Sequence, residues 1–253
     1  MTATLAHIRR HPVKSAGGEG LGRVTLTTAR RLPGDRVWAV LTDPGERLAS
    51  ASQDAAGQPD RWLPKSCFLR GVVAPGLQAV TGGGEGRLRL SHPDLPDLEF
   101  DPETEGDRLI AWLSPLWPDG RGAPTRLVRG PGIWTDQKWP WISILSLASL
   151  ARLESDLGMT LGIHRWRGNL WVEGWDAFAE RDMIGRIIRI GEVELRVTEP
   201  IGRCNATDAN TDTGRAEIDM PAALDRLYGS QDFGIFAEVV SGGSITIGDQ
   251  VAA

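Results

Sequence analysis

Ile188-Arg189-Ile190-Gly191-Glu192-Val193-Glu194-Leu195-Arg196-Val197 sets apolar and charged residues in alternation on both sides of a Gly-Glu pair. A period of two sends alternate side chains to opposite faces of a strand, so each half reads as a strand with one dry and one wet side. Glycine at the first position of a two-residue connection suits a type II′ turn, which predicts an antiparallel hairpin. The hairpin runs on into Pro200-Ile201-Gly202-Arg203-Cys204-Asn205-Ala206-Thr207-Asp208, read as a turn and an exposed loop, with Asp212-Thr213-Gly214 following.

Other segments repeat the strand-and-turn pattern. Val37-Trp38-Ala39-Val40-Leu41-Thr42-Asp43 is a compact apolar run closed by Asp43-Pro44-Gly45, read as a buried strand and a turn. Arg87-Leu88-Arg89-Leu90-Ser91 alternates after Gly82-Gly83-Gly84 and predicts a second strand. Residues 92–107 are rich in acids and prolines and read as a surface loop around an isolated extended piece. Ile245-Thr246-Ile247-Gly248-Asp249-Gln250-Val251 reads as one closing strand. The clearest helix starts near Ser146, with Leu147, Leu150, Leu153 and Leu157 on one stripe and Gly158 as its stop. The Pro/Gly-punctuated stretch from Leu116 to Pro124 suggests a division into residues 1–122 and 123–253. Many short strands and few helices predict an α+β, mainly β architecture with barrel-like closure.

Composition narrows the function. The net charge of -5 over 253 residues, with no basic stripe, argues against a nucleic-acid partner. Cys67 and Cys204, the 2 cysteines, are too few for a disulfide framework and lack the spacing of a structural zinc site, so a reduced, cytoplasmic setting is expected. The first ten residues lack the apolar core of an export signal. Trp139 to Leu150 falls short of the roughly 20 apolar residues a bilayer span requires, so no membrane association is expected. The chain is expected to be a monomer.

Five segments carry candidate chemistry. Pro12-Val13-Lys14-Ser15, followed by Ala16-Gly17-Gly18, offers an ammonium, a hydroxyl and exposed backbone N–H groups to an anion, although Lys14 alone also fits a solvated surface charge. Arg36, in Gly34-Asp35-Arg36-Val37-Trp38, would present its fork to a phosphate or pair with Asp35. Trp134-Thr135-Asp136-Gln137-Lys138-Trp139-Pro140-Trp141 fits a pocket wall or a cap on the helix that follows, and 10 tryptophans in the chain make such a cluster unexceptional. Arg167 and Asn169, in Arg165-Trp166-Arg167-Gly168-Asn169, would face one ligand if the backbone is extended there, or else blunt a strand edge. Cys67 sits among core formers and reads as an apolar filler. Cys204 has Arg203 beside it and small polar residues around it, the setting of an accessible thiolate that a soft metal would take as ligand. A Cys–His dyad has no local support, leaving His7, His11, His92 and His164 as distant partners.

Taken in order, Pro12-Val13-Lys14-Ser15, Asp35-Arg36-Val37-Trp38, Thr135-Asp136, the run from Ser143 to Leu150, Arg167-Gly168-Asn169, Arg203-Cys204 and Asp212-Thr213-Gly214 resemble MOSC-domain proteins. The likeness is to those with a MOSC N-terminal β-barrel region, in the mitochondrial amidoxime-reducing component branch. It implies a MOSC-type β-barrel with an associated N-terminal β-rich domain. It also implies a molybdenum cofactor of one pterin per metal, bound by Cys204. Lys14, Ser15 and Arg36 would hold the phosphate end, and Thr135, Asp136, Arg167, Asn169, Gly202 and Arg203 the pterin. Asp136 is in addition a candidate proton carrier, because it is titratable. Trp166-Arg167-Gly168-Asn169 departs from the family's Phe-Arg-Pro-Asn, Gly202 stands where relatives often carry serine, and Gln137-Lys138 replace small hydroxyl residues.

The implied reaction is reduction of N-hydroxylated small molecules at the N–O bond, with electrons from a separate electron-transfer protein. The alternatives are a cofactor carrier or sulfur-transfer module using Cys204 without turnover, and a binding barrel for a phosphorylated small molecule.

Overall fold

Alternation along the hairpin becomes burial: Ile188, Ile190, Val193, Leu195 and Val197 are sealed in the core, while Ile187, Arg189 and Arg196 face outward. Gly191 has φ +55 and Glu192 keeps an ordinary φ, the signature of the type II′ turn, with Ile190 paired to Val193 across it. The computed structural model describes residues 3–132 and 134–253; Met1, Thr2 and Ile133 lie outside the described residues.

The first half of the chain holds β1 (Ala3–Arg10), β2 (Glu19–Leu21), β3 (Arg23–Leu26), β4 (Trp38–Thr42), α1 (Asp43–Ala49), β5 (Thr81–Gly83), β6 (Leu88–His92), β7 (Leu95–Phe100) and α2 (Gly106–Leu113). Then come β8 (Pro124–Arg129), β9 (Trp141–Ser146), α3 (Leu147–Leu157), β10 (Leu170–Glu173), β11 (Ile187–Ile190), β12 (Val193–Gly202), α4 (Met220–Tyr228), β13 (Asp232–Ser241), β14 (Gly243–Thr246) and β15 (Gln250–Ala252). Seven strands in the order β10-β9-β13-β12-β11-β15-β1 close into a barrel through the β1–β10 pairing, with β2 outside β1. The fold is therefore mainly β, as expected. Leu5, Ile8, Ile144, Leu170, Leu195 and Ile235, all at 0% exposure, fill the barrel and leave no side for water. Among the described strands β9 and β10 are the one parallel pair, and α3 bridges them. Ser146 caps α3 by accepting from the Ser149 N–H, and Gly158 ends it in the left-handed conformation, so the helix starts and stops where the sequence predicts.

Beside the barrel, β4 pairs with β8, and β5, β6 and β7 form a three-stranded sheet. Leu77, Leu90, Phe100, Leu109 and Leu113 are buried between these sheets and α2. The pairings cross residue 122 in both directions: β1 from the start of the chain is a barrel stave, and β8 belongs with β4.

Four local expectations are corrected. Asp43-Pro44-Gly45 opens α1 rather than a turn; proline is tolerated in a first helical turn, and a Cβ at Gly45 would stand 2.0 Å from the Cys67 carbonyl oxygen. The extended piece within 92–107 is not isolated, since β7 pairs with β6. Residues 245–251 are not one strand: Gly248 takes φ +96 and Asp249 accepts from the Thr246 N–H, so the chain turns between β14 and β15. Pro200-Ile201-Gly202 is the bulged end of β12 opposite β13, not a turn.

Candidate functional site

A cleft of about 590 Å³ opens where the end of β12 meets the loops before β4, before β9 and before β10. All ten residues singled out from the sequence line it: Lys14, Ser15, Arg36, Thr135, Asp136, Arg167, Asn169, Gly202, Arg203 and Cys204. Cys67, by contrast, is buried in a small apolar cluster with Leu41, Phe68 and Trp134, the filler it reads as.

Backbone strain gathers at this cleft. Five residues other than glycine have positive φ among the described residues, and three of them line the cleft: Ser15 (65), Arg36 (50) and Arg167 (48). Side chains adopt that region at a cost, which persists where surrounding contacts over-determine the position. Arg167 supplies two such contacts, donating from Nη1 to the Gly17 carbonyl (2.8 Å) and from Nη2 to the Val13 carbonyl (3.1 Å). Its own carbonyl accepts from Arg36 Nη2 at 2.8 Å. The extended backbone that would align Arg167 with Asn169 is therefore absent, and the left-handed turn orients Arg167 instead.

Arg203 leaves the end of β12 and donates to two carbonyls, Nε to Phe233 at 2.8 Å and Nη1 to Trp166 at 3.0 Å. Trp166 and Phe233 stack with centroids 3.9 Å apart, and the guanidinium lies 5.3 Å from the Trp166 ring. No carboxylate pairs with Arg167 or Arg203 among the described residues. Burial, with the charge of Arg36 adding to it, pushes the pKa of Arg167 down to about 9. Burial likewise pushes Arg203 down to about 9, with a Cys204 thiolate opposing and Arg36 adding. Burial and Arg36 push Arg31 to about 10. The cleft thus crowds cations and gains by taking up an anion.

Asp35 and His11 sit beneath this layer. Asp35 accepts from the His11 backbone N–H (2.8 Å) and pairs with Arg36, while His11 Nδ1 lies 3.3 Å from its Oδ1. Burial opposes the Asp35 charge, but Arg36 and His11 hold the carboxyl well below the usual range. Burial, with the charge of Arg167, pushes His11 down to about 3, so the ring is neutral.

Two other expected ligands are already engaged by protein partners. Asn169 Oδ1 accepts from the Ser143 hydroxyl (2.8 Å) and its Nδ2 donates to the Arg9 carbonyl (3.2 Å), so it locks β9 to β1. Lys14 Nζ donates to Asp136 at 2.6 Å and to the Trp134 carbonyl at 3.2 Å. Burial opposes the Asp136 charge, yet Lys14, Lys65 and Arg36 keep the carboxyl below its ordinary value. An ionised carboxylate of this kind must first take up a proton before it could pass one on. Thr135 Oγ1 donates to the Gln137 carbonyl at 2.5 Å and accepts from Arg31.

Cys204 is free and exposed at the rim, in extended backbone with φ -122. Its carbonyl accepts from the Thr207 N–H at 3.0 Å and the Thr207 hydroxyl at 2.8 Å, which fixes the short 3-10 turn Asn205–Asp208. Arg165, in the basic turn but given no role from sequence, is buried at 2% and pins the same loop through the Thr207 carbonyl and Glu217. Arg31, Lys65 and Arg70 also line the cleft; as single cations in loops they carry no sequence signal. In all, eight lysines and arginines face three carboxylates, Asp35, Asp136 and Glu199.

The residues present fit an anionic, metal-bearing cofactor. Phosphate suits the cationic excess, and the buried Trp166 indole N–H, without an acceptor among the described residues, leaves one donor open. No group of three or more His, Cys, Asp or Glu side chains able to hold a metal ion occurs among the described residues. A metal at Cys204 would take its other ligands from a non-protein group. No helix among the described residues is long and apolar enough to cross a membrane.

The departures at Gly168 and Gln137 also find their reasons. A Cβ at Gly168 would stand 2.2 Å from Leu145 Cδ1, so a side chain there requires the end of Leu145 to move aside. Gln137 Nε2 donates to Glu199 at 3.2 Å, and Lys138 lies 5.7 Å from the Trp62 ring centroid.

Residues 140–252 match the family model described as MOSC domain. The chain is 32% identical to mitochondrial amidoxime-reducing component 1 of Homo sapiens over 98% of its own length and 82% of that protein. It is 27% identical to molybdenum cofactor sulfurase 2 of Aedes aegypti over 79% of its length, spanning 26% of that larger protein. Among solved structures, the YUAD protein from Bacillus subtilis aligns over 99% of this chain and 94% of its own, at 12% identity and a TM-score of 0.45.

Proposed function

The chain belongs to the MOSC-domain family, and from that premise we propose that it binds a single-pterin molybdenum cofactor and reduces N-hydroxylated small molecules. The observation that carries the reading is the shared rim of one cleft: an exposed cysteine stands beside crowded guanidinium groups that lack carboxylate partners. When bound, the cofactor would supply the redox-active metal at which the N–O bond is cleaved. The net change consumes two electrons and two protons, turning an N–OH group into N–H and water, with the electrons arriving from a separate donor protein.

The chain's own residues position and neutralise. Cys204 is the protein ligand to the metal. Ser15, Arg36 and the left-handed loop braced by Arg167 meet the phosphate. Lys14 joins them with Asp136 as its anchor, since the pair shares a 2.6 Å contact. Arg203, Thr135 and Gly202 line the pterin's path, and Asn169 holds β9 and β1 in place beneath it.

The test is molybdenum and pterin content per protein, wild type beside Cys204→Ser, after expression in cells that make the cofactor. Near-stoichiometric metal in the wild type that falls in the variant is expected, followed by reduction of an amidoxime with an artificial donor. Folded wild type with neither metal nor pterin would sink the reading. A second reading, a carrier or sulfur-transfer role, draws on the exposure of Cys204 and the likeness to a cofactor sulfurase. Bound molybdenum with no turnover of any N-hydroxylated compound is its expected sign.

A further inference from the structure

The segment 134–138 walls two cavities. Thr135, Asp136 and Gln137 line the cleft, whereas Trp134 and Lys138 line a second cavity of about 410 Å³, together with Arg30 and Trp62. Arg31 belongs to both. No carboxylate lines this second cavity among the described residues, and none of Arg30, Arg31 and Lys138 forms a salt bridge among them. Arg31 is half-buried and donates to neutral partners, the Thr135 hydroxyl and the Gln137 carbonyl. Lys138 Nζ stands 5.7 Å from the centroid of the Trp62 ring, and the Trp62 indole is fixed by donating to the Thr135 carbonyl at 3.2 Å. Ala29 also lines the cavity and keeps φ at 54, a conformation that side chains adopt at a cost, as Ser15, Arg36 and Arg167 do at the cleft.

Three cations without a counter-charge, one of them half-buried, gain by taking up a multiply charged anion. A volume of about 410 Å³ leaves room for an organic body beside a phosphate, and the Trp62 indole offers a ring its stacking surface. We propose that this cavity is a second ligand site, which takes a ring-bearing phosphate monoester. The phosphate sits between Arg30, Arg31 and Lys138, and the ring lies against Trp62. Lys138, an exposed side chain, leaves the indole for the phosphate as the ligand's ring takes its place. Two negative charges facing three positive ones favour a phosphate monoester over a carboxylate. None of Cys204, Lys14 and Arg36 lines this cavity, so the site stands apart from the reductase reading.

The experiment is calorimetric titration of the purified protein with phenyl phosphate, the ring-free methyl phosphate, and the uncharged phenol. Phenyl phosphate is expected to bind at least about tenfold tighter than either. Arg30→Gln and Lys138→Gln change exposed side chains, which spares the fold, and should each weaken phenyl phosphate by roughly threefold to tenfold. Trp62→Leu should bring it down to the level of methyl phosphate. Lys14→Gln alters the cleft and not this cavity, and should leave phenyl phosphate binding as it is. Weakening in Lys14→Gln as large as in Arg30→Gln and Lys138→Gln, or no weakening in the last two, puts the phosphate in the cleft and overturns the proposal. Equal affinity for phenyl phosphate and methyl phosphate overturns it as well. Folded protein that lacks molybdenum yet binds phenyl phosphate with this selectivity supports the second site and sinks the reductase reading alone.

Discussion

The barrel wall and the cleft rim solve opposite problems with neighbouring residues of the same strand. Val193, Leu195 and Val197 on β12 are sealed among apolar partners, and their backbone groups are met by the adjacent strands. A few residues later Arg203 faces carbonyl oxygens and another guanidinium within reach, and Cys204 stands in the open. At the rim, left-handed Ser15, Arg36 and Arg167 and crowded cations are arrangements that a free loop would relax. The difference teaches that the barrel's role at this site is mechanical. A wall with no slack holds the rim's cations close together.

The contrast breaks most sharply at Leu195. Leu195→Ala removes a side chain of 0% exposure from the barrel interior and should cost about 2–5 kcal/mol in urea unfolding. If the wall is the mechanical support, cofactor content should fall only in step with the folded fraction. Loss of cofactor from protein that remains fully folded would mean that the wall and the rim are not separable.

A smaller effect lies beneath the rim. The folded-state pKa of His11 is depressed to about 3, so the unfolded chain takes up a proton that the native protein refuses. Stability should therefore fall as pH drops from about 6.5 toward about 3. Asp35, held low by Arg36 and His11, adds to the loss once pH passes below about 4. His11→Asn should flatten the dependence between pH 7 and pH 4.5, measured as urea midpoints. An unchanged slope would place the titrating group elsewhere.

The smallest effect is expected at Gly202. A Cβ there would meet only Asp232 Oδ1, at an ordinary 3.6 Å, and φ is not in the left-handed region. Gly202→Ser, which restores the residue relatives often carry, should change stability by no more than about 0.5 kcal/mol. A larger loss would show that the rim tolerates less than its open geometry suggests.

The wall was more legible than the rim. Alternation in 188–197, the helix start near Ser146 and the stop at Gly158 are local signals, and the structure follows them. The partners of β1 were hidden, because Leu5 meets Val172 across the closure and no short-range pattern reports a contact between residues so far apart. At the site, all five motifs point into one cleft, yet sequence says nothing of how their side chains are already engaged. Lys14 and Asp136 read as two separate ligands and turn out to hold each other, and Asn169 reads as a pterin contact and turns out to hold two strands. Arg31 and Lys65 escaped notice because a lone cation in a loop looks the same whether it faces solvent or a cleft.

The position of β15 carries a consequence for biosynthesis. It sits between β11 and β1, so the stave made first and the stave made last are neighbours. As the ribosome emits the chain, β1 must wait through more than two hundred residues before its final neighbour exists. Closure is thus a late, high-contact-order event. Until then the edges of β1 and β11 are open templates for pairing with other nascent chains.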